Sequence, residues 1–555
     1  MSVFYEENLK TMSKVAHYLQ EHLTGEVIVS TDARRYFATD ASVLQIAPAL
    51  VVYPRSESDV RKTARFTWQL AERGRIIPMT ARGSGTDQTG AAIGNGIMLV
   101  FPAHMNRILE LDTKANIVAV EPGINFGKLQ QTLHTHGRFL PPYPASVEYS
   151  TIGGAIANNS SGEKTIKYGD MRAFVHSLRV VLANGEVIET GRLGKRELSK
   201  KLGLATFEGE IYRSVDTLIE EQRLLISNMG RNISKNNAGY DLLDIKRDDG
   251  SFDLTPLFVG SQGTLGIITE ASLGTEEHNP QTLLMMASFE TIEHAIGAII
   301  ELRNLTDSPS AIELIDARLL EQVYKLNPNQ LKEVLMPPFP AIVLLVEFDA
   351  KERQMKKQSK RVSKIFEKYA INLQSATDPE QQQQLWKVRE SSSAVLSNNE
   401  GPLRAVPIIN DAIVPIEQLP NLINAIYKLY EAYTLSPAIW GHAGDANLHI
   451  QPHLNLSQVG DRQKAFRMID EYYNLVISLG GSMSGEAGDG RLHTPYIEKL
   501  YGSDVYAVLH KIKQIFDPYG TLNPGVKFGT TIEQVKSIVR ADYSLDHIFD
   551  HLPRS

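Results

Sequence analysis

Two histidines seven residues apart and a later carboxylate have the types and spacing to hold a metal ion. They are His442 and His449, in Gly441-His442-Ala443-Gly444-Asp445-Ala446-Asn447-Leu448-His449, and Glu486 after Ser484-Gly485. On one straight strand this odd spacing would set the imidazoles on opposite faces. A turn at Gly444-Asp445 would let them converge. Two imidazoles and one carboxylate make a borderline site with an open position, suited to Zn²⁺, Mn²⁺ or Fe²⁺. An ion held there would keep a coordination position open to an outside oxygen atom and act on it as a Lewis acid. Taken alone, the same residues also fit two histidines satisfying loop hydrogen bonds.

Glycine-rich blocks supply a second kind of chemistry. The first is Arg82-Gly83-Ser84-Gly85-Thr86-Asp87-Gln88-Thr89-Gly90. Such spacing permits positive φ and lets several backbone N–H groups face one anion, although an ordinary tight turn reads the same way. It is neither a Walker loop nor a Rossmann fingerprint. A second block runs from Thr151 through Gly153-Gly154 and Asn158 to Ser161-Gly162, followed by Tyr168-Gly169. A third is Gly260-Ser261-Gln262-Gly263-Thr264-Leu265-Gly266-Ile267-Ile268-Thr269. Sustained small side chains allow close approach by a large flat or phosphorylated ligand. In Trp386-Lys387-Val388-Arg389-Glu390-Ser391-Ser392-Ser393, Arg389 and Ser393 stand four apart, on one helical face. An arginine there can grip a carboxylate bidentately or lie solvated on the surface.

These groups need elements to place them. Strands are expected at 51–53, 76–79, 96–101 and 117–120, with a helix from 57 to about 73 introduced by Ser56. The strongest hairpin signal is 180–182, Asn184-Gly185, 187–189. After residue 276, strands at 283–289, 311–315 and 341–348 alternate with helices at 291–305, 316–324 and 351–369. That alternation predicts an independent sheet with helices on one face, as in ferredoxin-like modules. A polar stretch at 375–384 opens a helix through 385–396, and helices at 417–433 and 461–479 flank the histidine block.

The 555 residues contain no cysteine, 57 Lys+Arg and 64 Asp+Glu, for a net charge of −7. Zero cysteine excludes disulfides, thiolate catalysis and cysteine-held clusters within this chain. Redox chemistry would therefore need a bound organic cofactor. The charge gives no reason to bind nucleic acid or an anionic membrane. No apolar run reaches about 18 residues, so no membrane span is expected. Residues 1–23 lack the apolar core of a signal peptide. Cytoplasmic residence is the expectation, with peripheral attachment to the inner face of the membrane as its variant.

The three glycine blocks, Glu121-Pro122-Gly123 and the terminal Leu522-Asn523-Pro524-Gly525 together resemble the PCMH-type FAD-binding fold of the vanillyl-alcohol-oxidase superfamily. More closely, they resemble its D-2-hydroxyacid dehydrogenase branch, which includes D-lactate, glycolate and D-2-hydroxyglutarate enzymes. The resemblance implies an α+β protein: a two-part PCMH-type FAD-binding domain, a ferredoxin-like α+β cap that takes the substrate, and a C-terminal segment returning to the flavin. The implied units are a helical lead-in at 1–45, the FAD-binding domain at 46–276, the cap with the metal motif at 277–515 and the closing segment at 516–555.

By the same resemblance, FAD contacts fall on Arg82, Gly83, Ser84, Gly85, Thr86 and Asp87 and on Pro144 and Ser146. Further contacts fall on Thr151, Gly153, Gly154, Asn158, Ser161, Gly162 and Tyr168, then on Gly263, Gly266, Ile267 and Ile268, with Asn523 near the isoalloxazine. Where relatives attach flavin through a histidine of the first loop this chain has Thr86, so the FAD is expected to be non-covalent. The resemblance also makes His442, His449 and Glu486 ligands of a divalent metal, Zn²⁺ ahead of Mn²⁺ or Fe²⁺. It makes Arg389 and Ser393 substrate anchors.

Two departures stand out. The family pattern after the metal-binding glutamate is His-Gly, and that histidine removes the hydroxyl proton; here the segment reads Glu486-Ala487-Gly488. His493 could take over as base, the metal could acidify the alcohol enough for water to accept its proton, or oxidation could be disabled. A lysine of several relatives falls by register on Ile409. The implied reaction is oxidation of a D-2-hydroxyacid to the 2-oxoacid, with electrons passed to an external acceptor such as an iron–sulfur protein or a quinone. A homodimer is compatible with these features. The alternatives are a flavin-dependent synthase or oxidase of the alkylglycerone-phosphate synthase type, with Arg491 and Lys499 as extra cations, or a weakly active flavin subunit of a redox complex.

Overall fold

A computed structural model describes residues 13–396 and 401–546; part of the expected lead-in therefore lies outside the described residues. The first sheet has four strands in the order Glu26–Ile28, Leu50–Tyr53, Ile97–Val100, Met79–Arg82, the last three parallel. Helix Glu57–Ala71 buries Val60 and Ala64 in the same core as Leu50, Val52, Ile97 and Leu99.

One expected strand is displaced. The strand read at 76–79 lies at Met79–Arg82, and Ile76 is exposed. Pro78 has no N–H to donate, so pairing with Ile97–Val100 begins only at Met79, with the Pro78 carbonyl accepting from Ile97. Arg82 thereby ends the strand instead of opening the loop.

A second sheet of five antiparallel strands has the order Ile108–Asp112, Ile117–Val120, Ile267–Gly274, Val175–Val181, Val187–Glu189. The Asn184-Gly185 hairpin forms as expected, with Val181 paired to Val187 and Gly185 at φ 83°. Val181 and Ile267 share a core with the first sheet. The glycine loops that leave the two sheets therefore emerge side by side. The segment at 521–523 returns to the same place: Met79 N–H donates to the Thr521 carbonyl and Asn523 N–H to the Met79 carbonyl, at 2.7 and 2.8 Å.

The third large sheet has seven strands, in the order Asn372–Ala376, Leu283–Phe289, Ile342–Phe348, Ala311–Asp316, Ile439–His442, Asn447–Ile450, Ala412–Ile413. Strand Leu283–Phe289 is buried throughout. Its residues alternate between two cores, Leu283, Met285, Ala287 and Phe289 in one, Leu284 and Met286 in the other. The first core includes residues of helices Ile292–Arg303, Glu352–Tyr369, Leu419–Ala432 and Val459–Ser478. The second includes residues of Ala317–Leu326 and Pro379–Glu390. Helices thus cover both faces, where one covered face was expected. Continuous apolar runs such as Ile-Val-Leu-Leu-Val at 342–346 carry that signal, because a half-solvated strand alternates.

The expected helix through 385–396 is also corrected. Asn372–Ala376 is an edge strand. Asp378 caps the helix Pro379–Glu390 by accepting from Glu380 and Gln381 N–H, and the chain breaks at Ser391 before a short helix, Ser392–Leu396. Among the described residues, no helix is long and apolar enough to cross a membrane.

Candidate active site

The three glycine blocks meet around one cavity of about 500 Å³. Their glycines are required by close approach. A Cβ on Gly83 would lie 2.2 Å from Thr151 Oγ1, one on Gly266 2.4 Å from a Val180 methyl, and Gly153 backs onto Pro122. Gly85 has φ 77°, where a side chain would be strained and would strike the Arg82 guanidinium. Thr151 caps the helix Ile152–Asn158 by accepting from Gly154 N–H at 3.2 Å.

The sequence-predicted residues Arg82, Gly83, Ser84, Gly85, Thr86 and Asp87 line this cavity, as do Pro144, Ser146, Thr151, Gly153, Gly154 and Asn158, then Gly263, Gly266 and Ile268. Five others do not. Ser161 is buried and accepts from the Lys235 ammonium at 2.6 Å. Gly162 packs on the Tyr143 carbonyl. Tyr168 donates to Asp349 of the seven-stranded-sheet unit at 2.8 Å. Ile267 points into the core between the first two sheets, on the strand face opposite Ile268. Asn523, at φ 42°, spends its amide on the Ala91 and Gln262 carbonyls, each 2.8 Å away, and ties the C-terminal segment to two cavity-lining loops.

The cavity extends to His449, Glu486 and Ala487, with Arg389, Ser393, Trp440 and Gln451 also on its wall. Strands Ile439–His442 and Asn447–Ile450 form an antiparallel hairpin that faces the two histidines toward each other, with ring centroids 5.3 Å apart. The left-handed turn residue is Ala446 (φ 55°); Gly444 instead gives room to Ile166, whose Cδ1 would lie 2.4 Å from a Cβ. Both Nε2 atoms stand 3.2 Å from one oxygen of Glu486. Ligand atoms of His442, His449 and Glu486 all lie within 4.8 Å of one another.

Residues outside the expected ligand set hold this cluster. Glu313 is fully buried and accepts from His442 Nδ1 at 2.6 Å. Asn410 accepts from His449 Nδ1 at 3.2 Å and donates to Gln88 at 2.9 Å. With each Nδ1 so engaged, each Nε2 is left to face the Glu486 carboxylate, the pattern of metal-binding histidines. The donor set therefore fits a divalent cation. Burial works against charge on His442, yet the Glu313 and Glu486 carboxylates raise its pKa to about 9. Burial likewise opposes ionisation of Glu486, but hydrogen bonds and charge from the two histidines hold it well below the usual carboxylate range.

Asp411, at φ 65°, accepts from Glu486 N–H at 2.8 Å, Ala487 N–H at 2.7 Å and Asn447 Nδ2 at 3.1 Å, and so pins the segment that carries Glu486. No spacing rule points to Glu313, and Asp411 stands out only through its place near Ile409 in the resemblance. Only a lone acid within an apolar strand, as in Ala-Ile-Glu-Leu-Ile at 311–315, could have hinted at Glu313.

Several expected roles are relocated. His493, the suggested replacement base, is buried away from the cavity, its ring nitrogens 3.0 Å from Tyr473 Oη and 2.9 Å from Ser484 Oγ. Burial lowers its pKa to about 4. Arg389 and Ser393 both reach the cavity, but from two successive helices separated at Ser391. Arg389 Nε donates to Glu313 at 2.5 Å, and Ser393 Oγ to the Glu390 carbonyl at 2.6 Å. Arg491 is buried on the Gly90 and Pro524 carbonyls, and neither it nor Lys499 lines the cavity. Ile409 is fully buried in the core.

Comparison with known proteins agrees with this architecture. The family described as "FAD binding domain" matches residues 48–191, and "FAD linked oxidases, C-terminal domain" matches residues 279–526. The chain thus matches both the FAD-binding domain and the C-terminal domain described for FAD-linked oxidases. It is 29% identical over 523 residues to D-2-hydroxyglutarate dehydrogenase of Escherichia coli (strain K12), covering 91% of this chain and 50% of that protein. It is also 29% identical over 507 residues to glycolate oxidase subunit GlcD of Bacillus subtilis (strain 168), covering 91% of this chain and 92% of that one. The chain thus spans about half the length of the D-2-hydroxyglutarate dehydrogenases it matches. In fold it superposes on p-cresol methylhydroxylase with a TM-score of 0.67 at 15% identity, covering 96% of this chain and 98% of the other. The fold is the PCMH-type FAD-binding fold.

Proposed function

We propose that this protein oxidises a small D-2-hydroxyacid to its 2-oxoacid, using non-covalently bound FAD, and passes the electrons to an external acceptor. The observation that carries this reading is the single cavity running from the glycine blocks to Glu486 and Ala487, with Arg389 on its wall. When bound, FAD supplies a hydride acceptor and a divalent ion, Zn²⁺ ahead of Mn²⁺ or Fe²⁺, supplies Lewis acidity toward substrate oxygens.

The chain's residues do the positioning. Gly83, Gly85, Gly153 and Gly154 leave backbone open to a phosphorylated ligand. His442, His449 and Glu486 would hold the ion. Arg389 has Nε committed to Glu313 and Nη1 to Ser392, which leaves Nη2 for a substrate carboxylate, with Ser393 also on the cavity wall. On this reading 46–276 binds the flavin, 277–515 caps the substrate and 516–555 completes the flavin site behind the 1–45 lead-in. With no cysteine in the sequence, the acceptor is external to these residues, an iron–sulfur protein or a quinone.

The hydroxyl proton lacks a side-chain acceptor. Among the described residues lining the cavity, Asp87 is occupied by Thr89, Ala91 and Asn158 donors, Asp411 by the donors named above, and His449 and Glu486 belong to the ion cluster. That favours slow flavin reduction and gives weight to a second reading, a weakly active flavin subunit of a redox complex. Anaerobic mixing with D-lactate, glycolate and D-2-hydroxyglutarate, with metal analysis of the same sample, tests both. Bleaching of the flavin by a D-2-hydroxyacid supports the first. Absence of bleaching with every hydroxyacid, together with an iron–sulfur protein in the purified complex, supports the second.

A further inference from the structure

Glu313 sits where the proposed ion cluster and the proposed substrate anchor meet. In the central sheet it lies directly opposite His442 across the antiparallel pair of Ala311–Asp316 and Ile439–His442, so the two side chains share a face. Helix Pro379–Glu390 packs on that face through Leu385 and Val388 and delivers Arg389 to the same carboxylate. One oxygen accepts from His442 Nδ1 at 2.6 Å and the other from Arg389 Nε at 2.5 Å. The glutamate is 0% exposed, and the Arg389 and His442 side chains are 14% and 7% exposed. Losing either partner would leave one oxygen of this buried carboxylate unsatisfied.

We propose that Glu313 is a positioning residue that couples the ion cluster to the substrate anchor: one carboxylate sets the ring orientation of His442 and the direction of the Arg389 guanidinium. The inference rests on the metal reading above and goes beyond it, because it assigns the link between the two sites to one side chain. By linkage, whatever orders one partner biases the other through Glu313.

A carboxylate accepts at both oxygens, whereas an amide of the same shape has one acceptor and one donor. Glu313→Gln can therefore satisfy His442 or Arg389, but not both. The test is calorimetric titration of Zn²⁺ into metal-free, flavin-loaded protein. Glu313→Gln is expected to weaken Zn²⁺ binding by about 10–100-fold, the usual cost of losing a group that orients a histidine ligand. Adding Arg389→Gln removes the donor in conflict and should restore at least about threefold of that loss, a rescue that a merely structural role would not give.

Zn²⁺ affinity within about twofold of wild type in Glu313→Gln, or a double variant as weak as the product of its singles, overturns the coupling. Should Glu313→Gln fail to retain flavin, Arg389→Lys carries the test, since it keeps the charge but loses the planar Nε donor. A shift of about threefold or more in Zn²⁺ affinity then supports the coupling, and an unchanged affinity overturns it. Wild-type protein that binds no Zn²⁺, or binds it equally well as His449→Ala, takes down the metal reading and the coupling with it; the other outcomes leave the metal reading intact.

Discussion

At the scale of single residues, Ala487 is where the proposed oxidation is most directly tested. Its backbone N–H helps Asp411 hold the Glu486 segment, while its methyl lines the cavity where a proton acceptor would be useful. Positioned general bases contribute roughly 10²–10⁴-fold. Ala487→His is expected to accelerate anaerobic flavin reduction by a factor in about that range, with little change in substrate affinity. Stopped-flow bleaching with the best hydroxyacid measures it, and an unchanged rate removes the missing base as the limitation. His493 offers no substitute, because its nitrogens are engaged by Tyr473 and Ser484 and burial keeps it neutral, with a pKa of about 4.

At the scale of elements, strand Ala311–Asp316 serves the site at one position and stability at another. Glu313 holds His442, while Asp316 at the strand end caps helix Ala317–Leu326 and accepts from Leu319 N–H at 2.8 Å. Burial raises the Asp316 pKa from 3.8 to about 6, despite hydrogen bonds from Leu319, Ile439 and Tyr427. The folded chain therefore keeps this proton to a higher pH than the unfolded chain does. Stability from this group is greatest below about pH 4 and is lost as pH rises through about 6, by roughly 3 kcal/mol. Asp316→Asn still caps the helix but does not titrate, so its melting temperature should fall less than that of wild type between about pH 4 and 6.5. Parallel profiles for the two proteins would show that Asp316 ionises normally.

At the scale of the whole molecule, the C-terminal segment ties the cavity to the segment that carries Glu486. Lys527 and Asp489 form an ion pair at 2.8 Å with both side chains fully buried, and Asp489 also accepts from Gly239 N–H and Ser484 Oγ. Residues far apart in sequence thereby fix the segment between Glu486 and Arg491. Removing one partner of such a pair typically costs about 3–5 kcal/mol. Lys527→Met should lower stability by about that amount and loosen flavin retention, and Lys527→Met with Asp489→Asn should recover part of the loss. Denaturant melts and the flavin content of purified protein report both effects; equal stability of the single variant and wild type would leave the pair without a structural role.

The sequence by itself determined the chemistry available to this protein. Glycine spacing, the His442–His449–Glu486 set and the terminal Leu522-Asn523-Pro524-Gly525 are local patterns, and local backbone geometry makes each of them legible. Most strands and helices after residue 276 are legible for the same reason, since their apolar periodicity is written residue by residue. Tertiary structure alone decided which polar groups meet. Glu313 joins His442 across 129 positions and Arg389 across 76, and Asp411 reaches Glu486 across 75. Such pairings depend on strand order and register, which no spacing rule encodes. The same cause removed Asn523, Ser161 and His493 from the cavity: each carries a suitable side chain, but the packing around it turned that side chain to a structural partner instead.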